Sequence, residues 1–208
     1  MLKKWMPRRV VIQLLILLVI HCSSYYGAKM IIQGGPYNFI GSAFDSKIPL
    51  IPCSVIIYYG CFLFWAINYT NIIRNEPEGT YRFLSAEIIG KIVCFLTYVL
   101  FPTAIIRPEV TGTGFFSDVI RMMYSIDHPD ALFPSMHCFV SWMCVVGMRD
   151  KPCFSKKYRI FSIVMAVLVF IATLTTKQHI IADVLAGVAL AELSYSIAGH
   201  LPHCKANS

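Results

Sequence analysis

Long apolar stretches separated by short polar segments run through the whole chain. Six of them approach or reach the roughly 20 residues that a helix needs to cross a bilayer core. They cover approximately residues 10–25, 52–72, 83–106, 131–148, 158–174 and 179–201. Strands that cross a membrane would alternate polar and apolar side chains, and these stretches do not. The pattern therefore predicts an all-α integral membrane bundle of six transmembrane helices.

The composition agrees with this fold class. Of 208 residues, 57% are hydrophobic and 14% are charged, whereas soluble domains carry about 25% charged residues. The length predicts a single transmembrane domain over residues 1–208. The net charge of +7 raises the question of nucleic acid, but no basic face interleaved with aromatic residues occurs outside the loops. The expected partners are the lipid bilayer and a lipid substrate, with no nucleic acid.

The distribution of Lys and Arg among the loops predicts the orientation. Twelve of these residues lie before the first span, between spans two and three, between spans four and five, or after the last span, and five lie on the other side. Because cytoplasmic loops carry the excess of positive charge, both termini are expected inside a plasma membrane of bacterial type. The basic start and apolar residues 10–20 also resemble a signal peptide, but without a clean cleavage site an uncleaved anchor is expected.

Two long loops should lie on the outer side. Residues 26–48, with Gly34-Gly35-Pro36, are interpreted as irregular structure. The loop at 107–130 contains one apolar helical face, which predicts a short interfacial helix that either guides headgroups or packs as a lid. This face consists of Phe116, Val119, Ile120 and Met123.

A few ionisable and sulfur-containing side chains inside the spans have ordinary explanations. Glu87 and Lys91 are four residues apart, which predicts a structural ion pair. Glu192 lies deep in the sixth span and has no obvious partner in the sequence. None of the eight cysteines forms a C-x-x-C pair, and they are interpreted as small buried hydrophobes, although Cys22 and Cys53 could form a disulfide near the outer surface.

Two histidines and an aspartate at the mouths of two apolar helices carry the candidate chemistry. His179 and Asp183 are four residues apart and share a helix face. A carboxylate in that position orients the imidazole, which makes the pair a nucleophile with its positioning group. His137 is predicted just inside the fourth span behind Pro134, a residue favoured at the first position of a helix. One histidine can then attack while the other protonates the leaving oxygen.

Phosphoryl transfer also needs positive charge around the equatorial oxygens. Arg107 and Lys177 are the outer cations closest to helix ends, and the N-terminal amides of the fourth and sixth spans would add donors. A lone interfacial histidine is usually an ordinary hydrogen-bonded residue, so the hypothesis depends on the whole group. Two histidines and a carboxylate can also bind zinc, but the neighbouring cations oppose a metal ion. No metal and no cofactor are therefore expected.

At these residues the chain resembles the type-2 phosphatidic acid phosphatase superfamily of lipid phosphate phosphatases. The matching motifs are Arg107-Pro108, Phe-Pro-Ser-Met-His at residues 133–137, and His179-x-x-x-Asp183. The resemblance implies six transmembrane helices with outer-facing motifs. It also implies that His179 is the nucleophile, Asp183 its partner, His137 the leaving-group acid and Ser135 a phosphate ligand.

The chain departs from the family pattern at several positions. Leu100 stands where the first motif has a lysine, Ala172 and Thr173 stand where the third motif has Ser-Arg, and Met136 replaces a glycine. Lys177 is the candidate replacement for one missing cation. The departures leave room for related phosphotransferases such as inositol phosphorylceramide and sphingomyelin synthases, which share the core of two histidines and one aspartate.

The sequence thus predicts a metal-independent membrane phosphatase that cleaves a lipid phosphate or pyrophosphate at the outer face through a phosphohistidine. A lipid phosphotransferase is the first alternative. The second alternative is a transporter or non-catalytic binding protein. Transporters often carry inverted repeats and broken helices, and neither is evident in the sequence.

Overall fold

The computed structural model describes residues 6–75, 80–149 and 151–202, so Lys3, Lys4 and Lys205 of the predicted charge asymmetry lie outside the described residues. Within these ranges the chain is helical and contains only two isolated β-bridges. The helices are α1 (Arg8–Ile32), α2 (Ala43–Lys47), α3 (Val55–Asn75), α4 (Thr80–Leu100), α5 (Phe115–Ile126), α6 (Met136–Val146), α7 (Lys156–Thr175) and α8 (Ile181–His200). A 3-10 turn over Pro52–Ser54 leads into α3. The predicted all-α class is confirmed.

Five of these helices are long and apolar enough to cross a membrane, namely α1, α3 with its leading turn, α4, α7 and α8. The predicted fourth span is represented by α6, which has only 11 residues. It starts late because the hydroxyl of Ser135 accepts a hydrogen bond from the amide of Cys138 and caps the helix there. The amides of Leu132 and Phe133 instead donate to the hydroxyl of Thr103, so this stretch cannot continue the helix.

Three other boundaries differ from the sequence prediction. α4 ends at Leu100, six residues early, because Pro102 and Ala104 pair with the backbone of Asn38. The 26–48 loop is less irregular than predicted, since α1 continues to Ile32 and α2 forms within it. Pro134 is not the first residue of a helix, since α6 begins two residues later.

The bundle is held together by close packing around α4, α6 and α8. α4 packs against α1 and α8, and α6 packs against α7 and α8. Gly90 of α4 lies directly under the ring of Phe139, and Gly187 of α8 lies against the backbone of Ser135. A side chain at either glycine would collide with α6, so these contacts set how closely the helices approach.

The structure gives partners to the ionisable residues inside the spans. Lys91 and Glu87 form the expected buried pair, 3.6 Å apart, and the hydroxyl of Tyr69 donates to the same carboxylate. Glu192, for which the sequence offered no obvious partner, has two. Trp142 Nε1 donates to Glu192 Oε1 at 2.8 Å, and Arg149 binds the same carboxylate from the loop that follows α6. Cys22 and Cys53 are free thiols.

The helix predicted in the loop before α6 is present as α5. Its inner side is formed by Ile120 and Met123, which pack in one apolar cluster with Val55, Tyr58 and Ala172. Its other side exposes apolar side chains, namely Phe115, Met122 and Ile126. α5 therefore covers the end of the bundle where α3 begins and α7 ends.

Candidate active site

α6 and α8 begin side by side at one end of the bundle. The amide of Ser135, which precedes α6, donates to the carbonyl of Asp183 in the first turn of α8 at 3.0 Å. This contact brings His137, the second residue of α6, opposite His179, which lies just before α8. The two imidazole centroids are 5.9 Å apart, and their planes are inclined by 57°.

The carboxylate of Asp183 holds His179 in place. Nδ1 of the imidazole lies 3.1 Å from Asp183 Oδ2, and the same oxygen accepts the amide of Ile180 at 3.1 Å. Asp183 is fully buried and His179 is 8% exposed, so little water competes for this contact. A carboxylate at Nδ1 favours a proton on that nitrogen and leaves Nε2 as the basic, nucleophilic atom.

Aromatic rings from α3 fix the orientation of His137. Its imidazole stacks on Tyr58 with centroids 4.6 Å apart and planes 25° apart, and Trp65 and Phe62 lie at 5.4 and 6.1 Å. Nε2 of His137 is buried and has no hydrogen-bond partner within the described part of the chain. A buried, unpaired ring nitrogen is costly unless a ligand or a water molecule meets it, so this atom is a candidate for proton transfer.

A small cavity lies between the two histidines. The empty space at this site is about 270 Å³, a volume that includes the open solvent at its mouth. Polar groups and aromatic rings both line its wall, as expected for a site that binds a polar headgroup next to apolar chains. The lining residues are Tyr25, Tyr58, Tyr98, Asp127, Ala131, Leu132, Met136, His137, Gln178 and His179.

Arg107 is the predicted cation that contacts this wall. Nη2 donates to Gln178 Oε1 at 2.6 Å, Nη1 donates to the carbonyl of Asp127 at 2.5 Å, and the guanidinium lies 4.6 Å from the centre of the Tyr124 ring. Burial lowers the pKa of Arg107, and the charge of Asp127 partly offsets this effect. Gln178, next to His179 in sequence, was not predicted, because an amide beside a motif histidine carries no signal of its own.

The other predicted phosphate ligands are engaged elsewhere. Lys177 Nζ donates to the backbone carbonyl of Asp45 at 3.0 Å and does not line the cavity. The hydroxyl of Ser135 caps α6, as described above. The amides of Ile180 and Ile181 at the start of α8 donate to Asp183 and Asp45, so the prediction that the α8 amides are open to phosphate is wrong for these two.

A second polar group, which the sequence did not reveal, lies at the cavity wall. Tyr25 and Lys29, one turn apart on α1, both donate to Oδ1 of Asp127, at 2.8 and 2.6 Å. Lys29 also binds Asp130 at 2.8 Å. Burial would raise the pKa of Asp127, but hydrogen bonds from Lys29 and Tyr25 and the charge of Arg107 outweigh it, and the pKa lies below its ordinary value.

Comparison with known proteins extends the resemblance seen in the motifs. Among the described residues, no group of three His, Cys, Asp or Glu side chains is arranged to hold a metal ion. No curated protein and no solved structure matches the chain. A model of the PAP2 superfamily matches residues 44–197, a range that contains both histidines, Asp183 and Arg107. Since the match covers well over half of the sequence, the chain belongs to the PAP2 superfamily.

Proposed function

We propose that this protein is an integral membrane phosphatase that hydrolyses a lipid phosphate or pyrophosphate through a phosphohistidine. The observation that carries the proposal is the pair of imidazoles 5.9 Å apart, one of them bound to the buried carboxylate of Asp183. A phosphoryl group bound next to both rings would lie between a nucleophile and an acid. Membership of the PAP2 superfamily supports the same chemistry.

The reaction proceeds in two displacements. In the first, Nε2 of His179 attacks phosphorus, the bond from phosphorus to the leaving oxygen breaks, and protonated His137 donates its proton to that oxygen. Asp183 stabilises the positive charge that develops on the phosphorylated imidazole. In the second, His137 takes a proton from water, the oxygen of that water attacks phosphorus, and the P–N bond breaks to release phosphate and His179.

Arg107 is the phosphate ligand that the geometry supports best. It already contacts Gln178 and Asp127 at the cavity wall, so a short movement of its guanidinium would place a fixed positive charge beside the equatorial oxygens. Ser135 stays a proposed ligand, although it would have to release its contact with Cys138 before it could bind phosphate. Lys177 is the weaker candidate, because its Nζ is bound to the carbonyl of Asp45 and it does not line the cavity.

The substrate class follows from the surroundings of the cavity. Its wall combines the two histidines and Asp127 with apolar residues such as Leu132. Such a wall suits a phosphorylated headgroup whose acyl or polyprenyl chains stay in the bilayer. The exposed apolar side of α5 would lie in the membrane interface next to this opening.

The proposed topology counts α6 as the sixth, short span. The excess of Lys and Arg in one set of loops then places both termini in the cytoplasm and the two histidines at the outer face. Labelling of single cysteines introduced into the loops by a membrane-impermeant reagent tests this arrangement. Labelling of the loop before α7 in intact cells would show that the topology is the reverse of the one proposed.

The decisive experiment measures phosphate released by the purified protein in detergent from phosphatidate, phosphatidylglycerol phosphate and polyprenyl pyrophosphate. We expect turnover of at least one substrate, and none by His179→Ala or His137→Ala. His200→Ala is the matched control, because His200 is exposed at the far end of α8 and, among the described residues, its side chain bonds only to the carbonyl of Ser196. Wild-type turnover by either active-site variant would refute the assigned roles.

A lipid phosphotransferase is the second candidate, and Asp127 favours it. Only Oδ1 of this carboxylate is bonded, to Tyr25 and Lys29, and Oδ2 has no partner in the described ranges. A carboxylate in the wall repels phosphate but accepts a hydrogen bond from an alcohol. If the phosphohistidine passes to an alcohol, phosphate release will be absent without an added lipid alcohol, and a phosphorylated acceptor will appear when one is supplied.

A further inference from the structure

The turn that carries His179 joins α7 to α8, and residues outside these two helices also hold it in place. Its amides at Gln178 and His179 both donate to the carbonyl of Thr173, at 3.0 and 3.1 Å. Lys177 adopts a left-handed conformation with φ of 54°, which side-chain-bearing residues rarely adopt. Backbone of this kind persists only where the surroundings hold it in place. The question is which residues do so here.

Asp45, in the loop between α1 and α3, contacts the turn on both sides of the nucleophile. Oδ1 accepts the amide of Ile181 at 2.8 Å, two residues after His179. The backbone carbonyl of Asp45 accepts Lys177 Nζ at 3.0 Å, two residues before it. The two contacts bracket the imidazole although Asp45 lies more than 130 residues away in sequence.

The neighbouring residues extend the same attachment. The amide of Ile51 donates to the carbonyl of Thr175 at 2.9 Å, and the hydroxyl of Thr175 donates to that of Ser54 at 2.8 Å. The chain from Asp45 to Ser54 therefore runs along the turn and binds it at three places. Within this segment, Asp45 contacts the residues that lie nearest to His179 in the sequence.

The carboxylate of Asp45 is itself fixed. Its second oxygen, Oδ2, accepts the amide and the hydroxyl of Ser42, at 2.8 and 2.6 Å, so the side chain links the start of α2 to the start of α8. Burial would raise the pKa of Asp45, but the hydrogen bonds from Ser42 and Ile181 and the charge of Lys177 outweigh it and lower the pKa. The negative charge also suits the positive end of the α8 dipole.

We infer that Asp45 is a positioning residue for catalysis, which fixes the backbone on both sides of His179 and so holds the imidazole in line with the phosphorus. The inference rests on the proposed function, since it assigns Asp45 a part in the same reaction. Asp183 fixes the rotation of the imidazole and the nitrogen that holds its proton. Asp45 fixes the position of the backbone to which the imidazole is attached. Lys177, whose Nζ is bound by Asp45, is the second part of this arrangement, and we call the contacts of Asp45 with Lys177 and Ile181 the clamp.

The experiment uses the full-length protein in detergent and compares Asp45→Ala with Asp45→Asn. The alanine variant removes the acceptor for the Ile181 amide, and the asparagine variant keeps an acceptor oxygen. We expect Asp45→Ala to lower kcat about tenfold or more with KM unchanged, because misplacement of a reacting group by about 1 Å costs about a hundredfold. Asp45→Asn should restore most of kcat. Asp118→Ala is the control, since Asp118 is exposed and pairs only with Arg121 within the described ranges.

Amide hydrogen exchange of residues 176–183 separates the clamp from the proposed reaction. We expect exchange at Ile181 to become several-fold faster in Asp45→Ala and to stay near wild type in Asp118→Ala. If the wild type releases no phosphate but Asp45→Ala still accelerates this exchange, the clamp stands and the proposed function fails. Unchanged exchange, or unchanged kcat in an active protein, would overturn the inference.

Lys177→Ala tests the second contact. Loss of the hydrogen bond from Lys177 to the carbonyl of Asp45 is expected to lower kcat and leave KM unchanged. A raised KM with normal kcat would instead make Lys177 a phosphate ligand and would overturn its place in the clamp.

Discussion

The contact between Gly187 and the start of α6 determines the gap between the two histidines, so Gly187→Ala is the sharpest test of the site geometry. A methyl group at this position would lie 2.5 Å from the carbonyl oxygen of Ser135 and 3.1 Å from both the amide of Phe139 and Cβ of Cys138. Cβ atoms essentially never approach other heavy atoms within 3.0 Å. The obstacle is backbone, which cannot rotate away, so α6 must shift by at least half an ångström.

Two magnitudes follow from that shift. Overpacking of a well-packed helix contact typically costs about 1–3 kcal/mol, and the hydrogen bond from Ser135 to Asp183 would be weakened as well. A misplacement of about 1 Å at a reacting centre costs about a hundredfold in rate, so half of it should cost about tenfold. We therefore expect kcat of Gly187→Ala to fall about tenfold or more and its melting temperature to fall.

The assay measures phosphate release and thermal unfolding of the purified variant beside Gly60→Ala. Gly60 lies within α3 with open space around the position of a new Cβ, so the control should unfold at or slightly above the wild-type temperature with normal kcat. If Gly187→Ala keeps both wild-type kcat and wild-type stability, α6 and α8 do not approach as closely as described. The argument from the gap between the imidazoles would then fail.

Three further predictions address the remaining parts of the site. Asp183→Asn should lower kcat by about 10²–10⁴-fold with little change in KM, because the neutral amide no longer fixes the proton on His179, and a normal kcat would refute its role. The ion pair of Asp127 and Lys29 should contribute stability that is fully present above the ordinary aspartate pKa of about 3.9. This stability is lost as the pH falls through the pKa of Asp127 in the folded protein, which is lower. Asp127→Asn should therefore flatten the acid limb of a plot of melting temperature against pH, and an unchanged limb would contradict the assignment. Chelators should leave phosphate release unchanged and vanadate should inhibit it, whereas loss in chelator that zinc restores would indicate a metal enzyme.

The parts of this structure that follow from local rules were accessible from the sequence. The four-residue spacing of His179 and Asp183 correctly predicted their contact, and the imidazole and carboxylate are 3.1 Å apart. The shared helix face was wrong, because α8 begins only at Ile181 and His179 reaches the carboxylate from the turn before it. The ion pair of Glu87 and Lys91 follows from the same spacing. The meeting of His137 and His179 did not follow from periodicity, and it was expected from their places at the mouths of two helices on one side of the membrane and from the resemblance of the motifs to those of a known family.

The parts that the sequence did not reveal depend on contacts between distant segments. α6 is short because Thr103, about 30 residues earlier, binds the amides that would have begun the helix. Hydropathy extends a span as long as residues are apolar, so it cannot detect such a contact. The environment of Lys177 depends in the same way on Asp45, and a lysine two residues before a candidate nucleophile is readily predicted to bind phosphate until that contact is known.

The site divides into two walls of different origin, and this division bears on what the protein recognises. The histidines, Asp183 and Arg107 all lie within residues 44–197, the range that matches the PAP2 superfamily. Tyr25 and Lys29 belong to α1, outside that range, yet Tyr25 lines the same cavity and both residues bind Asp127. The proposed phosphoryl transfer uses only the first wall. Tyr25 lines the cavity that would hold the headgroup, so we expect side chains of α1, which the family match does not cover, to contribute to the choice of substrate.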